Sequence, residues 1–179
     1  MSRIAIPALS TATGATAEVY AQVRKIAGGN VPNLFAALGH LAPAQLAAVL
    51  NAEGVAAAGS LSKQDLETIK LAVSTQTGCD YCEAAHVLLG KLAGLSADAL
   101  RAIRTGQPTG DAKRDALVHF VLNLVRTSGT IGQDEFDAIR AAGYTDGQLA
   151  EISLVIGLVI FTNIFNRIND TDVDFPPVQ

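Results

Sequence analysis

The sequence predicts an all-α fold, a helical bundle formed by one domain over residues 1–179. Three observations carry that expectation. Apolar residues recur at helical spacing between glycines, prolines and capping side chains. No run alternates with a two-residue period between hairpin turns, so strands leave no signature. The gaps between helical runs are short, as between antiparallel neighbours in a bundle.

Taken in order, residues 1–15 are irregular, and a first helix is expected from Ala15 to Ala27, stopped by Gly28 and Gly29. A short helix opens at Val31-Pro32-Asn33, and Pro43 suits the first turn of a third helix running through Leu46, Val49 and Leu50 towards Gly59. Ser62 is placed to cap a fourth helix, with Asp65 at its third position. Leu66, Ile69 and Val73 give that helix its apolar stripe as far as about Gln76. Thr77-Gly78 breaks the chain, and the next helix ends at Gly94. Ser96 caps a short helix through Leu100 and Ile103, and Asp111 starts a long one that ends near Gly129. Gln133–Ala142 follows, stopped by Gly143; then Thr145 or Asp146 opens an apolar helix to about Ile168. The tail, residues 169–179, carries aspartates and Pro176-Pro177 and is expected to be extended.

Hydrophobic residues make up 49% of the chain and charged residues 17%, and mean hydropathy is +0.30. That is apolar for a monomer in water and favours a homo-oligomer. No unbroken stretch reaches the roughly 18 apolar residues of a spanning helix. The nearest, Ile152–Phe165, is interrupted by Ser153, Gly157, Thr162 and Asn163 and is expected to be buried nearly all round, with no membrane as partner. A net charge of −4 with scattered lysines and arginines lacks the footprint of a nucleic-acid binder. The N-terminus has no sustained apolar core, so the expected location is cytoplasmic, where thiols stay reduced.

Both cysteines and one of three histidines fall in Thr77-Gly78-Cys79-Asp80-Tyr81-Cys82-Glu83-Ala84-Ala85-His86. On a helix, Cys79, Cys82 and His86 share one face. A thiol near a helix N-terminus gains thiolate character from unpaired N–H groups and the helix dipole. A second thiol one turn away can resolve a sulfenic acid as a disulfide. Glu67, on the preceding helix, could be folded back over the dithiol as a base or one end of a proton relay. The same side chains would also suit a zinc site, with Glu67 or water as fourth ligand, although no second Cys/His pair exists. His40 and His119 are read as structural. A shift of 84 residues places Glu67 on Glu151, Cys79 on Asn163 and Cys82 on Asn166, which suggests a degenerate internal repeat.

The spacing Glu67-x11-Cys79-x2-Cys82-x3-His86, within a core motif at 62–94, resembles the AhpD-like alkylhydroperoxidases of the carboxymuconolactone decarboxylase superfamily. The resemblance is close over roughly residues 53–94 and looser at Val31–Phe35 and Thr162–Arg167. It implies an AhpD-like all-helical fold, assembly as a trimer or hexamer, and a thiol peroxidase acting on hydrogen peroxide or alkyl hydroperoxides. Cys82 would then be the peroxidatic thiol and Cys79 the resolving one, with His86 and Glu67 as proton relay. No metal or organic cofactor is implied. An external dithiol, such as a lipoylated carrier protein, would reduce the disulfide. Relatives of that type carry His where this chain has Tyr81, which makes Tyr81 a residue to place around the site. Two other readings use the same face differently or not at all: a redox-sensing or zinc-binding oligomer, and a lactone decarboxylase of the superfamily, for which a dithiol is unnecessary.

Overall fold

The computed structural model describes residues 1–178; the last residue of the expected tail, Gln179, lies outside them. Among the described residues there are nine α-helices and no strand: α1 (Gly14–Ile26), α2 (Asn33–Leu41), α3 (Pro43–Ala57), α4 (Lys63–Thr77), α5 (Asp80–Leu92), α6 (Ala97–Thr105), α7 (Ala112–Thr127), α8 (Gln133–Ala141) and α9 (Asp146–Asn169). One short 3₁₀ turn, Leu9–Thr11, interrupts the N-terminal stretch expected to be irregular.

Local chemistry sets most boundaries. Ser62 accepts from the Asp65 backbone N–H while the Asp65 carboxylate takes the Ser62 N–H, a reciprocal capping box that starts α4. Thr145 and Gln148 do the same for α9, and Ser96 and Asp111 cap α6 and α7. Gly78 ends α4 at φ +66°, a left-handed conformation that glycine adopts without steric penalty. The turn there is sharp enough for α5 to fold back along α4.

Helix α4 is the hub. It packs against α5, α6, α7 and α9, and its Ile69, Leu71 and Val73 have no exposed surface. They belong to a large apolar core that also takes Leu117 and Val121 from α7 and Ile152 and Val155 from α9. A second core gathers Val19, Tyr20 and Val23 of α1, Leu34 and Leu38 of α2 and Leu46 of α3 around Cys79, Tyr81 and Cys82. The dithiol therefore sits where a three-helix N-terminal unit meets the α4–α5 hairpin.

Two expectations need correction. Helix α9 is half-buried, not enclosed. Its inner face carries Ile152, Val155 and Val159, but Leu154, Phe161, Ile164 and Ile168 are 39%, 39%, 55% and 60% exposed. Polar residues did not end it, because helix continuity needs backbone hydrogen bonds and not unbroken apolar side chains. At 24 residues it is long and apolar enough, by length and composition alone, to cross a bilayer. The internal repeat is not a repeated hairpin either. The break at Gly78 corresponds to Thr162, in the middle of continuous α9, and the counterpart of Leu92 falls at Pro176 in the extended tail.

Candidate active site

Cys79 is the N-cap of α5 and Cys82 lies in its first turn. Both are free and buried, 2% and 3% exposed, and their sulfurs are 2.9 Å apart. At that separation one thiol hydrogen-bonds the other. Cys79 is held below the ordinary thiol range, first by its hydrogen bond with Cys82 and also by the charge of Arg167, against the opposing effect of burial. Cys82 is pushed up by the same hydrogen bond, by burial and by the charge on Cys79, while hydrogen bonds from Asn166 and Thr162 act the other way. Of the two, Cys79 is therefore the sulfur that gives up its proton first.

Glu67 and His86 come together, whereas the sequence suggests Glu67 folded back over the dithiol. The Glu67 carboxylate Oε2 lies 2.9 Å from His86 Nδ1, and each side chain is only 13% exposed. Burial alone would raise the Glu67 pKa. The hydrogen bond and charge of His86, with the Lys70 ammonium, outweigh it and hold the carboxyl below its usual range. Gly90 lets α5 lie close against α6 at this level: a Cβ there would come within 2.7 Å of Leu100 and 3.3 Å of Leu95, and at an ordinary 3.9 Å from the Glu67 Cβ. The pair sits one turn beyond Cys82 on α5, and neither member hydrogen-bonds a thiol.

Tyr81 is turned away from the sulfurs. Its hydroxyl accepts the Leu34 backbone N–H at 3.1 Å, at the start of α2, and its ring meets Phe175 of the tail edge-on at 5.3 Å. Burial and the nearby Asp174 carboxylate raise its pKa, which keeps the phenol protonated. It anchors α2 and the tail over the dithiol helix. His40 and His119 are both exposed. Glu151, the counterpart of Glu67 in the 84-residue shift, accepts the Ser60 and Leu61 backbone N–H groups ahead of α4 and takes no part in the dithiol cluster.

Helix α9 supplies what the motif could not. Asn166 Nδ2 donates to Cys82 Sγ at 3.1 Å. Asn163 donates to Thr77 Oγ1 at 2.8 Å, and the Arg167 guanidinium donates to the Thr77 carbonyl, so α9 also ties down the break before Cys79. A cavity of about 430 Å³ opens beside this cluster, with Cys79, Tyr81, Asn166, Arg167 and Arg3 in its walls. A second, apolar one of about 420 Å³ lies between Ala84 of α5 and the tail residues Val173, Phe175 and Val178. Among the described residues no group of three or more His, Cys, Asp or Glu side chains is placed to hold a metal ion, because His86 faces Glu67 and not the sulfurs.

Comparison with known proteins agrees with this picture. A sequence model described as the carboxymuconolactone decarboxylase family matches residues 41–117, which contain the whole constellation apart from α9. No curated protein matches the chain. Among solved structures, a peroxidase-related protein from Ralstonia eutropha JMP134, described as an alkylhydroperoxidase AhpD core, superposes with a TM-score of 0.83 at 22% identity, covering 97% of this chain and 92% of that one. A peroxidase-related protein from Silicibacter sp. TM1040 gives 0.76 at 22% identity, over 88% and 83%. The debrominase Bmp8 in complex with 2,3,4-tribromopyrrole gives 0.73 at 16% identity, over 88% and 84%.

Proposed function

For a chain that is an AhpD-like member of the carboxymuconolactone decarboxylase superfamily, we propose that it is an enzyme, a thiol-dependent peroxidase that reduces hydrogen peroxide or alkyl hydroperoxides through a Cys79/Cys82 dithiol–disulfide cycle. The fold does not select this chemistry, since by their names its structural neighbours include a debrominase as well as peroxidase-related proteins. The observation that carries the reading is the pair of free, hydrogen-bonded sulfurs 2.9 Å apart at the start of α5, with a mostly buried carboxylate–imidazole pair one turn away.

The cycle runs as follows. The Cys82 proton moves onto Cys79 and leaves Cys82 as the thiolate beside Asn166. The Cys82 sulfur attacks the terminal oxygen of ROOH. An S–O bond forms, the O–O bond breaks, and RO⁻ leaves to take a proton supplied through His86 and Glu67. Cys79 then attacks the Cys82 sulfenic acid, forming the disulfide and releasing water. Cys79 lines the cavity whereas Cys82 lies behind it, which supports Cys79 as the sulfur that an external dithiol engages in the reducing half-cycle. A lipoylated carrier protein has the required chemistry. Free thiols suit a reducing compartment such as the cytoplasm.

The homo-oligomer belongs to the same proposal. Leu154, Phe161, Ile164 and Ile168, with exposed Gly157 between them, recur at spacings of three and four along the outer face of α9, a seam that would suit another helix of a second copy. Replacing Ile164 by Asp should lower the assembly state seen by light scattering; an unchanged mass would remove α9 from the interface. The enzymatic reading is tested by turnover. Wild-type protein with dihydrolipoamide should consume cumene hydroperoxide, Cys79→Ser and Cys82→Ser should not, and a wild-type rate equal to the reductant-only background would overturn it.

A further inference from the structure

Three buried asparagines, Asn163, Asn166 and Asn169, lie three residues apart along the inner face of α9. The outer two are fully used by the chain. Asn163 accepts from Ser74 Oγ at 3.4 Å and donates to Thr77 Oγ1; Asn169 accepts the Ile4 N–H at 2.9 Å and donates to Thr171 Oγ1 at 3.0 Å. Asn166 is different. Its Nδ2 donates to the Cys82 sulfur, but its Oδ1 is buried without any hydrogen-bond partner, although the residue is only 3% exposed. A buried amide carbonyl without a donor costs about 1–3 kcal/mol, so this vacancy is an expense with no structural return.

We propose that Asn166 is a catalytic residue of the peroxidase reaction, holding the Cys82 sulfur with Nδ2 and receiving with Oδ1 the hydrogen of the hydroxyl that is transferred from hydroperoxide to sulfur. The proposal rests on the peroxidase reading and deepens it. The transferred oxygen carries its hydrogen throughout: in H–O–OR before attack, and in Cys82–S–O–H after the S–O bond has formed and RO⁻ has left. That hydrogen needs an acceptor close to Cys82. The sulfur's described hydrogen-bonding neighbours are Cys79, Asn166 and Thr162; the Thr162 hydroxyl is engaged with the Val159 carbonyl at 3.0 Å, whereas Asn166 Oδ1 is buried with no partner at all. The Asn166 carbonyl is the acceptor of these that has no other partner. Asn166 also lines the same cavity as Cys79, which places the residue beside the route a hydroperoxide would take to the sulfurs. Because Oδ1 is shielded from water, no solvent hydrogen bond has to be surrendered when the hydroxyl arrives.

The test separates donor from acceptor. Site-resolved mass spectrometry would follow iodoacetamide alkylation and stoichiometric hydrogen peroxide oxidation of Cys82 in wild type, Asn166→Ala and Asn166→Asp. The charged and titratable groups that face the pair are Asp80 and Tyr81 on α5 and Arg167 on α9, and all stay in place in these variants. Removing one such polar contact should slow peroxide oxidation roughly 10²-fold in Asn166→Ala. Alkylation, which has no hydroxyl to transfer, should need a higher pH but reach a plateau rate within a few-fold of wild type. Asn166→Asp keeps an acceptor, loses the donor and adds a charge, so its alkylation profile should shift further to alkaline pH than that of Asn166→Ala. Equal losses of oxidation and alkylation plateau rates in Asn166→Ala would mean a structural role and overturn the proposal, as would wild-type oxidation in that variant. A wild-type chain inert to peroxide would instead fail the peroxidase reading and remove the Oδ1 role with it, and the alkylation profiles would still judge the donor role on its own.

Discussion

Two buried polar sites lie within one turn of each other on α5, and they are finished differently. At Glu67–His86 an anion faces a base at 2.9 Å, and the carboxyl is held below its normal range despite its burial. At Cys79–Cys82–Asn166 one sulfur hydrogen-bonds the other and a carbonyl oxygen is left unpartnered. The first site is a compensated pair, suited to holding or passing a proton. The second is incompletely satisfied, and on the proposed reading it is where bonds are made and broken.

Variants at the first site should therefore behave unlike those at Asn166. Glu67→Gln should slow peroxide oxidation of the dithiol roughly 10²-fold, the usual scale of a lost acid–base partner, while the iodoacetamide reactivity of Cys79 stays near wild type. Equal effects on both rates would mean that the pair acts through the dithiol's structure and not as a relay. Its pH dependence has a definite sign. A carboxyl whose folded pKa is depressed stabilises the fold above its unfolded value and loses that contribution as pH falls through the folded one. The urea midpoint of wild type should therefore exceed that of Glu67→Gln most at neutral pH, and the gap should close below about pH 4. A gap that persists at low pH would point to packing. Gly90→Ala should have the smallest effect. The new methyl meets Leu100 at the tip of a side chain, so overpacking should cost about 1 kcal/mol, read as a drop in Tm of about 2–4 °C. Its oxidation rate should fall slightly, because relieving the contacts with Leu100 and Leu95 shifts the part of α5 that follows His86. An unchanged oxidation rate would show that the close approach at Gly90 does not matter to the pair.

Much of the fold was legible because its boundaries are local chemistry. Ser62, Ser96, Asp111 and Thr145 cap the helices they were expected to cap, and Gly78 breaks the chain where expected. That Glu67 returns to α5 was legible because a tight turn makes α4 and α5 a hairpin; that it meets His86 and not the sulfurs was not. The exposed seam of α9 was not, since an apolar helix with scattered polar residues reads alike whether one face or both are covered. Asn166 was hardest to see. The 84-residue shift picked it out as a counterpart of Cys82, but the structure places it against Cys82 itself, a tertiary contact between helices that no local pattern encodes. Tyr81 was misleading for the opposite reason: its position in the motif suggested a place at the sulfurs, and its side chain is used on α2 and the tail.

The central claim is that the two sulfurs form a metal-free redox pair. The most direct measurement assays purified, reduced protein for zinc, adds one equivalent of hydroperoxide, and counts free thiols by mass spectrometry. The account predicts no stoichiometric metal and rapid loss of both thiols together as a Cys79–Cys82 disulfide. Stoichiometric zinc with protected thiols, or two thiols that survive the peroxide, would contradict it.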